Sequence, residues 1–187
     1  MGATGRHEMK KIVLIGPECT GKTTLARALA DRLGGVYVPE YSRPYSIRVR
    51  SEQGRNLTLD DVMPIVRGQI AAEAGAAAQN PDYIFIDSNP LASAVYSMWY
   101  YGREPEGLDG IVSSMKYDMY LLCAPDIEWE DDPARDMPVG REGIFAMFEE
   151  ALAVRRLPFA VISGEGDERF ENAMAALAGR VLPAERK

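Results

Sequence analysis

Apolar residues fall along this chain in two rhythms, short unbroken runs and longer stretches spaced at three and four, and the two alternate. Residues 11–15 form a β-branched run stopped by Gly16, the pattern of a strand buried on both faces. From 23 to 33 the apolar positions are Leu25, Ala26, Leu29, Ala30 and Leu33, a helical spacing that Gly34-Gly35 ends. Val36, Tyr37 and Val38 read as a second strand running into Pro39-Glu40-Tyr41. Thr58 and Asp61 make a capping-type pattern, opening a helix through an alanine-rich stretch to about residue 79, with Pro64 as its point of bending. A third strand covers 83–86 and closes on Asp87; helices follow over 91–101 and 108–116, then a fourth strand over 119–123. Residues 124–141, rich in Pro, Asp and Arg, read as an excursion. A helix over 142–156, a strand over 159–162 and a turn at 163–166 lead to a last helix with Phe170, Ala173, Met174 and Leu177 on one face.

Strands that are almost wholly apolar, alternating five times with helices, predict a single α/β domain: a five-stranded parallel sheet covered on both faces. The polar residues 1–9 read as a loose leader, 10–187 as the domain, and 124–141 as a lid segment upon it.

Composition narrows the possible functions. The chain has 187 residues, 47% hydrophobic and 26% charged, enough apolar material for a core. Its formal charge of −7 disfavours nucleic acid or an anionic membrane as partner. No apolar run approaches the ~20 residues of a membrane helix, no secretory signal is seen, and a cytoplasmic enzyme or switch is expected. Cys19 and Cys123 are too few for a disulfide framework, and the single His7 cannot anchor a metal cluster.

The strongest chemical signal is Gly16-Pro17-Glu18-Cys19-Thr20-Gly21-Lys22-Thr23, which fits G-x-x-x-x-G-K-[ST] and stands between a strand and a helix. The glycines let successive N–H groups turn inward around phosphates, and the helix N-terminus adds partial positive charge. Lys22 is then expected at the β- and γ-phosphates and the Thr23 hydroxyl on Mg²⁺, with Thr24 adjoining the nucleotide. Asp87, at the end of a buried strand, would hold Mg²⁺ or accept a proton; the competing reading is a cap for the next helix. Glu40 closes the second strand on the acceptor side, where a carboxylate orients an alcohol and takes its proton, or is a surface acid. Arg43 is a phosphate or substrate contact or a solvated charge. Tyr96, Trp99, Tyr100 and Tyr101 offer rings for stacking, although the spacing of Tyr96 and Tyr100 also suits a core.

Six segments carry a family resemblance. The cradle, Glu40-Tyr41-x-Arg43, Phe85-Ile86-Asp87 and the spacing Asp126, Trp129, Asp132, Arg135, joined by Ile162-Ser163-Gly164 and Glu168-Arg169, together resemble the ribosylnicotinamide kinase domain of NadR-type NAD-salvage proteins. The likeness runs over about 10–182, with Glu128-Trp129 standing where the family carries a Pro-Trp pair. It implies a P-loop kinase that moves the ATP γ-phosphate to the 5′-hydroxyl of nicotinamide riboside, with Mg²⁺. By position it implies Lys22 and Thr23 on ATP and metal, and Asp87 at the metal and acceptor hydroxyl. Arg135 and Arg141 would lie over the phosphates, and Ser163 and Gly164 beside the adenine. Glu40, Tyr41 and Arg43 would stand on the acceptor side, while Trp129 would shape the acceptor pocket or anchor the lid. Other readings are a kinase for another nucleoside or a small alcohol, an ATPase, and an ATP-binding regulatory module. A GTPase is disfavoured because N-K-x-D is absent and Asp87-Ser88-Asn89-Pro90 stands in place of D-x-x-G.

Overall fold

The computed structural model describes residues 8–129 and 140–182. Within them the strands are β1 (Lys10–Ile15), β2 (Val36–Val38), β3 (Tyr83–Asp87), β4 (Met119–Cys123) and β5 (Phe159–Ile162). The helices are α1 (Lys22–Leu33), α2 (Ser42–Gln53), α3 (Leu59–Ala77), α4 (Pro90–Tyr101), α5 (Leu108–Ser114), α6 (Arg141–Val154) and α7 (Gly166–Leu177). All strand pairs are parallel, in the order β2-β3-β1-β4-β5. The α/β architecture expected from the apolar rhythm is the one that forms.

The period-2 alternation of the strands divides the core. Val13, Ile15, Ile84, Ile86, Tyr120 and Leu122 face one layer, with buried residues of α3, α4, α5 and α6. Ile12, Leu14, Phe85, Met119, Leu121 and Cys123 face the other, with those of α1 and α7. Because each central strand is covered on both sides, nothing polar interrupts it until its carboxyl end, and that is where Gly16 and Asp87 stand. Chain order turns back beside β1, which opens a crevice at the carboxyl ends of β1 and β3. The pairing of Leu14 with Asp87 aligns the two ends.

Helix α2 is not foreseen by the apolar rhythm. It buries only Val49, so no repeating apolar stripe marks it, and Pro44 lies in its first turn, where a missing N–H costs nothing. The expected opening of α3 does form: the Asp61 carboxylate accepts from Thr58 N at 2.8 Å. Helix α3 continues through Pro64 to Ala77. Of the lid segment, Asp132 and Arg135 lie outside the described residues.

Glu73 is the buried polar group with the plainest energetic consequence. It is 2% exposed on α3, and both its oxygens accept from the Tyr117 hydroxyl, at 3.1 and 3.0 Å. Burial pushes its carboxyl up to about 7, against the opposing Tyr117 hydrogen bond and the Lys11 charge. The folded state therefore holds the proton more tightly than the unfolded chain. Stability is full below the unfolded value near 4.5 and is lost as pH rises through about 7. Over that window the wild type should lose up to about 3 kcal/mol that Glu73→Gln does not. Denaturant unfolding at pH 5 and pH 8 checks this; parallel losses in the two proteins would refute it.

Candidate active site

Gly16 begins the cradle with φ +140°, and a Cβ there would stand 2.6 Å from the Cys123 carbonyl oxygen, so only glycine lets β1 turn into the loop against β4. Cys19 and Gly21 also take positive φ, 53° and 71°, which curls the loop before α1 begins at Lys22. Lys22 is 9% exposed, and its Nζ donates to Pro17 O at 2.5 Å and Thr20 Oγ1 at 3.4 Å. The ammonium is thus held inside the curl of its own loop by a main-chain carbonyl and a threonine hydroxyl.

The acids expected at the phosphates meet there. Thr23 Oγ1 donates to Asp87 Oδ2 at 2.5 Å, and the Tyr37 hydroxyl donates to the same oxygen at 3.3 Å. Asp87 Oδ1 is buried and has no hydrogen-bond partner among the described residues. A hydroxyl and a carboxylate with one uncommitted oxygen, beside a phosphate cradle, fit Mg²⁺, which takes few protein ligands and fills its shell with phosphate and water. Asp87 is not the cap of α4; Asn89 fills that role, its Oδ1 accepting from Ala92 N at 3.4 Å.

Glu40 is half-buried at the end of β2, and Ser42 Oγ donates to its Oε1 at 2.5 Å. Burial raises its carboxyl above the usual range, and the Asp87 charge raises it further, outweighing Lys22, Ser42 and Arg43. Two acids, one tied to the cradle hydroxyl and one held towards the protonated form, is an arrangement suited to divided roles.

Lys22, Thr23 and Glu40 line one cavity of about 470 Å³, and Asp87 adjoins it through its bond with Thr23. Its lining brings the cradle from Glu18 to Thr24 together with Glu40 and with residues of α2, α3 and α4. Arg43 and Arg50 come from α2, and Tyr96, Tyr100 and Tyr101 from α4. Tyr96 serves both readings of the aromatic spacing. Its ring stacks on Tyr100 at 6.2 Å, on the cavity wall, and meets Phe148 of the core edge-on at 5.6 Å. Trp99 instead packs against Gly140 and Gly143.

The remaining sequence candidates scatter. The Tyr41 ring packs on α3 at Gly68, where a Cβ would overlap it. Arg141 Nη1 donates to Cys19 O at 3.2 Å and Ile127 O at 2.9 Å, and its guanidinium lies 5.8 Å from the Trp129 ring. Arg141 therefore fastens the root of the excursion to the cradle through main-chain carbonyls, with the Trp129 ring beside its guanidinium. The turn at Ser163 and Gly164 is stapled as well: Gly164 N donates to Asp126 Oδ2 at 2.8 Å, and Ser163 O accepts from Asn172.

Arg169, quoted in the sequence only as half of a dipeptide, emerges as the organiser of this side. It is 3% exposed; it donates to Thr20 O at 2.9 Å, Ala124 O at 3.2 Å and Gly164 O at 2.6 Å, and pairs with Asp126. Its position 149 residues from Thr20 left no local signal to find it by.

Comparison with known proteins finds relatives in sequence and in fold. The chain is 23% identical over 165 residues to the trifunctional NAD biosynthesis/regulator protein NadR of Escherichia coli (strain K12), covering 87% of this chain and 40% of that protein. It thus spans less than half the length of that relative. A crystal structure of NadR protein in complex with NR superposes with a TM-score of 0.79 at 25% identity, over 97% of this chain and 54% of that one. One in complex with NAD and AMP-PNP gives 0.77 at 22%, over 97% and 52%. Deoxyadenosine kinase from M. mycoides with bound products shares the fold at a TM-score of 0.59 and 15% identity, over 89% and 98%. No helix among the described residues is long and apolar enough to cross a membrane. Residues 11–169 match the family model described as an AAA domain, and with its phosphate cradle at 16–23 the chain belongs to that family of P-loop proteins.

Proposed function

We propose that this chain is a P-loop kinase that transfers the γ-phosphate of ATP to the 5′-hydroxyl of nicotinamide riboside. The observation that carries the reading is one cavity whose lining joins the cradle to Glu40 and to the rings of α4, with a carboxylate where a second substrate would meet the triphosphate. A nucleotide switch needs only the cradle. The likeness to NadR, solved with NR, supports a riboside as that second substrate.

In this reading the cradle amides and Lys22 hold the triphosphate and neutralise the charge that gathers on the migrating group. Thr23 and Asp87 would hold Mg²⁺, which when bound would supply further positive charge against the developing negative charge. Glu40 takes up the 5′-hydroxyl proton as that oxygen bonds to the γ-phosphorus and the bond to the β–γ bridging oxygen breaks, leaving ADP. A carboxyl raised by burial is better matched to that transfer at neutral pH than an ordinary glutamate. Arg43 and the rings of Tyr96 and Tyr100 enclose the acceptor.

The test is ADP release in the presence of nicotinamide riboside, uridine, cytidine and deoxynucleosides in turn. Nicotinamide riboside should give the highest kcat/KM, with the mononucleotide as product. Equal or better turnover of another nucleoside would transfer the proposal to that acceptor; ATP hydrolysis indifferent to every acceptor would overturn it.

A further inference from the structure

Gln69 is 4% exposed, sits on α3 and lines the same cavity. Its Oε1 accepts from the backbone N–H of Tyr41 at 2.9 Å, while its Nε2 is buried with no partner among the described residues. The two ends of an amide are not interchangeable here. Tyr41 N–H can give its proton only to the oxygen, so a flipped amide would lose that bond and set donor against donor. The orientation is locked further by Tyr41 itself, whose ring lies on α3 at Gly68, the neighbour of Gln69. The result is an amide of fixed orientation on a cavity-lining residue, with its two N–H donors buried and unanswered. A buried amide left without a partner destabilises the folded chain, so its retention calls for an occupant that answers it.

Its surroundings define the chemistry. Val62 and Ile65, at helical spacing from Gln69 on α3, line the cavity beside it and offer nothing polar. Glu40, next in sequence to the Tyr41 that anchors Gln69, contributes a carboxylate, which accepts and does not donate when ionised. Arg43 and Arg50 of α2 also donate into this cavity, but beside Val62, Ile65 and Glu40 it is Gln69 of α3 that holds unanswered N–H donors.

We infer that Gln69 is a specificity-determining residue for the phosphate acceptor, donating from Nε2 to a carbonyl or hydroxyl oxygen of the bound nucleoside. This rests on the kinase reading above and names the group that selects its second substrate. It predicts discrimination against ligands lacking that oxygen, because their binding leaves two buried N–H groups unpaired.

Two variants separate recognition from scaffolding. Gln69→Glu keeps an oxygen for Tyr41 N–H but replaces the donors by lone pairs; Gln69→Met removes both. For nicotinamide riboside both should raise the acceptor KM about 10- to 100-fold, with a smaller change in kcat and an unchanged KM for ATP. Each protein is also assayed with the pyridine riboside lacking the carboxamide and with 2′-deoxy and 3′-deoxy nicotinamide riboside. The analogue that costs the wild type a large factor in kcat/KM, and Gln69→Met none, lacks the partner oxygen; this decides between base and sugar. Folded Gln69→Glu protein with a wild-type acceptor KM, or equal penalties for every analogue in wild type and Gln69→Met, overturns the inference alone. A wild type that phosphorylates no nucleoside overturns the functional reading and the inference together.

Discussion

Lys22→Ala lowers kcat for acceptor phosphorylation by about 10²–10³-fold, the cost of removing one preorganised charge from a transition state that spreads negative charge over the migrating phosphoryl oxygens. The effect is large because of where the ammonium is kept. At 9% exposure, and donating to Pro17 O and Thr20 Oγ1, Lys22 is already desolvated and kept within the cradle before any substrate arrives. Phosphate oxygens take the place of those loop oxygens when the triphosphate binds, so the charge is at hand before the transfer begins. Binding of ATP should weaken less than turnover, because the loop amides still hold the triphosphate in the variant. The fold should survive, since α1 begins beyond the left-handed Gly21 and its buried face of Leu25, Ala26, Leu29 and Ala30 is untouched. Steady-state kinetics with a circular-dichroism control decides the matter: near-normal kcat in a folded variant would remove Lys22 from the chemistry.

What could be read from the sequence divides by distance along the chain. The sheet was legible because each strand carries its own apolar run, and parallel strands covered on both faces admit little else. The cradle was legible because its eight residues are consecutive and their glycines answer a local backbone demand. Asp87 was legible as a strand-end acid, but its choice between cap and cradle was not. That choice depends on Asn89 reaching Ala92 N and on Thr23, 64 residues away, reaching Asp87. Helix α2 escaped because its polar face forms one wall of the cavity and only Val49 packs inward, so the apolar period that reveals the other helices is missing. Gln69 and Arg169 escaped for a related reason. Each is defined by a main-chain atom of another element, Tyr41 N and Thr20 O, and no spacing rule encodes such a partner.

Asp87→Asn tests the other half of the reading, with an expected loss in kcat of about 10³-fold, or about 4 kcal/mol in the barrier. Asparagine has the same shape and keeps one oxygen to accept from Thr23 and Tyr37, so the packing at the end of β3 is preserved. What disappears is the negative charge and the uncommitted oxygen that make the site suitable for Mg²⁺. Stability should hold, because α4 takes its cap from Asn89 and the neutral amide that replaces the carboxylate carries no buried charge. The same substitution has a remote electrostatic consequence. Asp87 is second only to burial among the causes that raise the Glu40 carboxyl, so without its charge Glu40 ionises more readily. Because the proposed base must be ionised to act, activity rises with pH through the Glu40 titration. The acid limb of the residual kcat/KM profile should therefore move to lower pH in Asp87→Asn, and vanish in Glu40→Gln. A full wild-type rate in Asp87→Asn would leave the carboxylate a packing group, and an acid limb that stays in place would separate it electrically from Glu40.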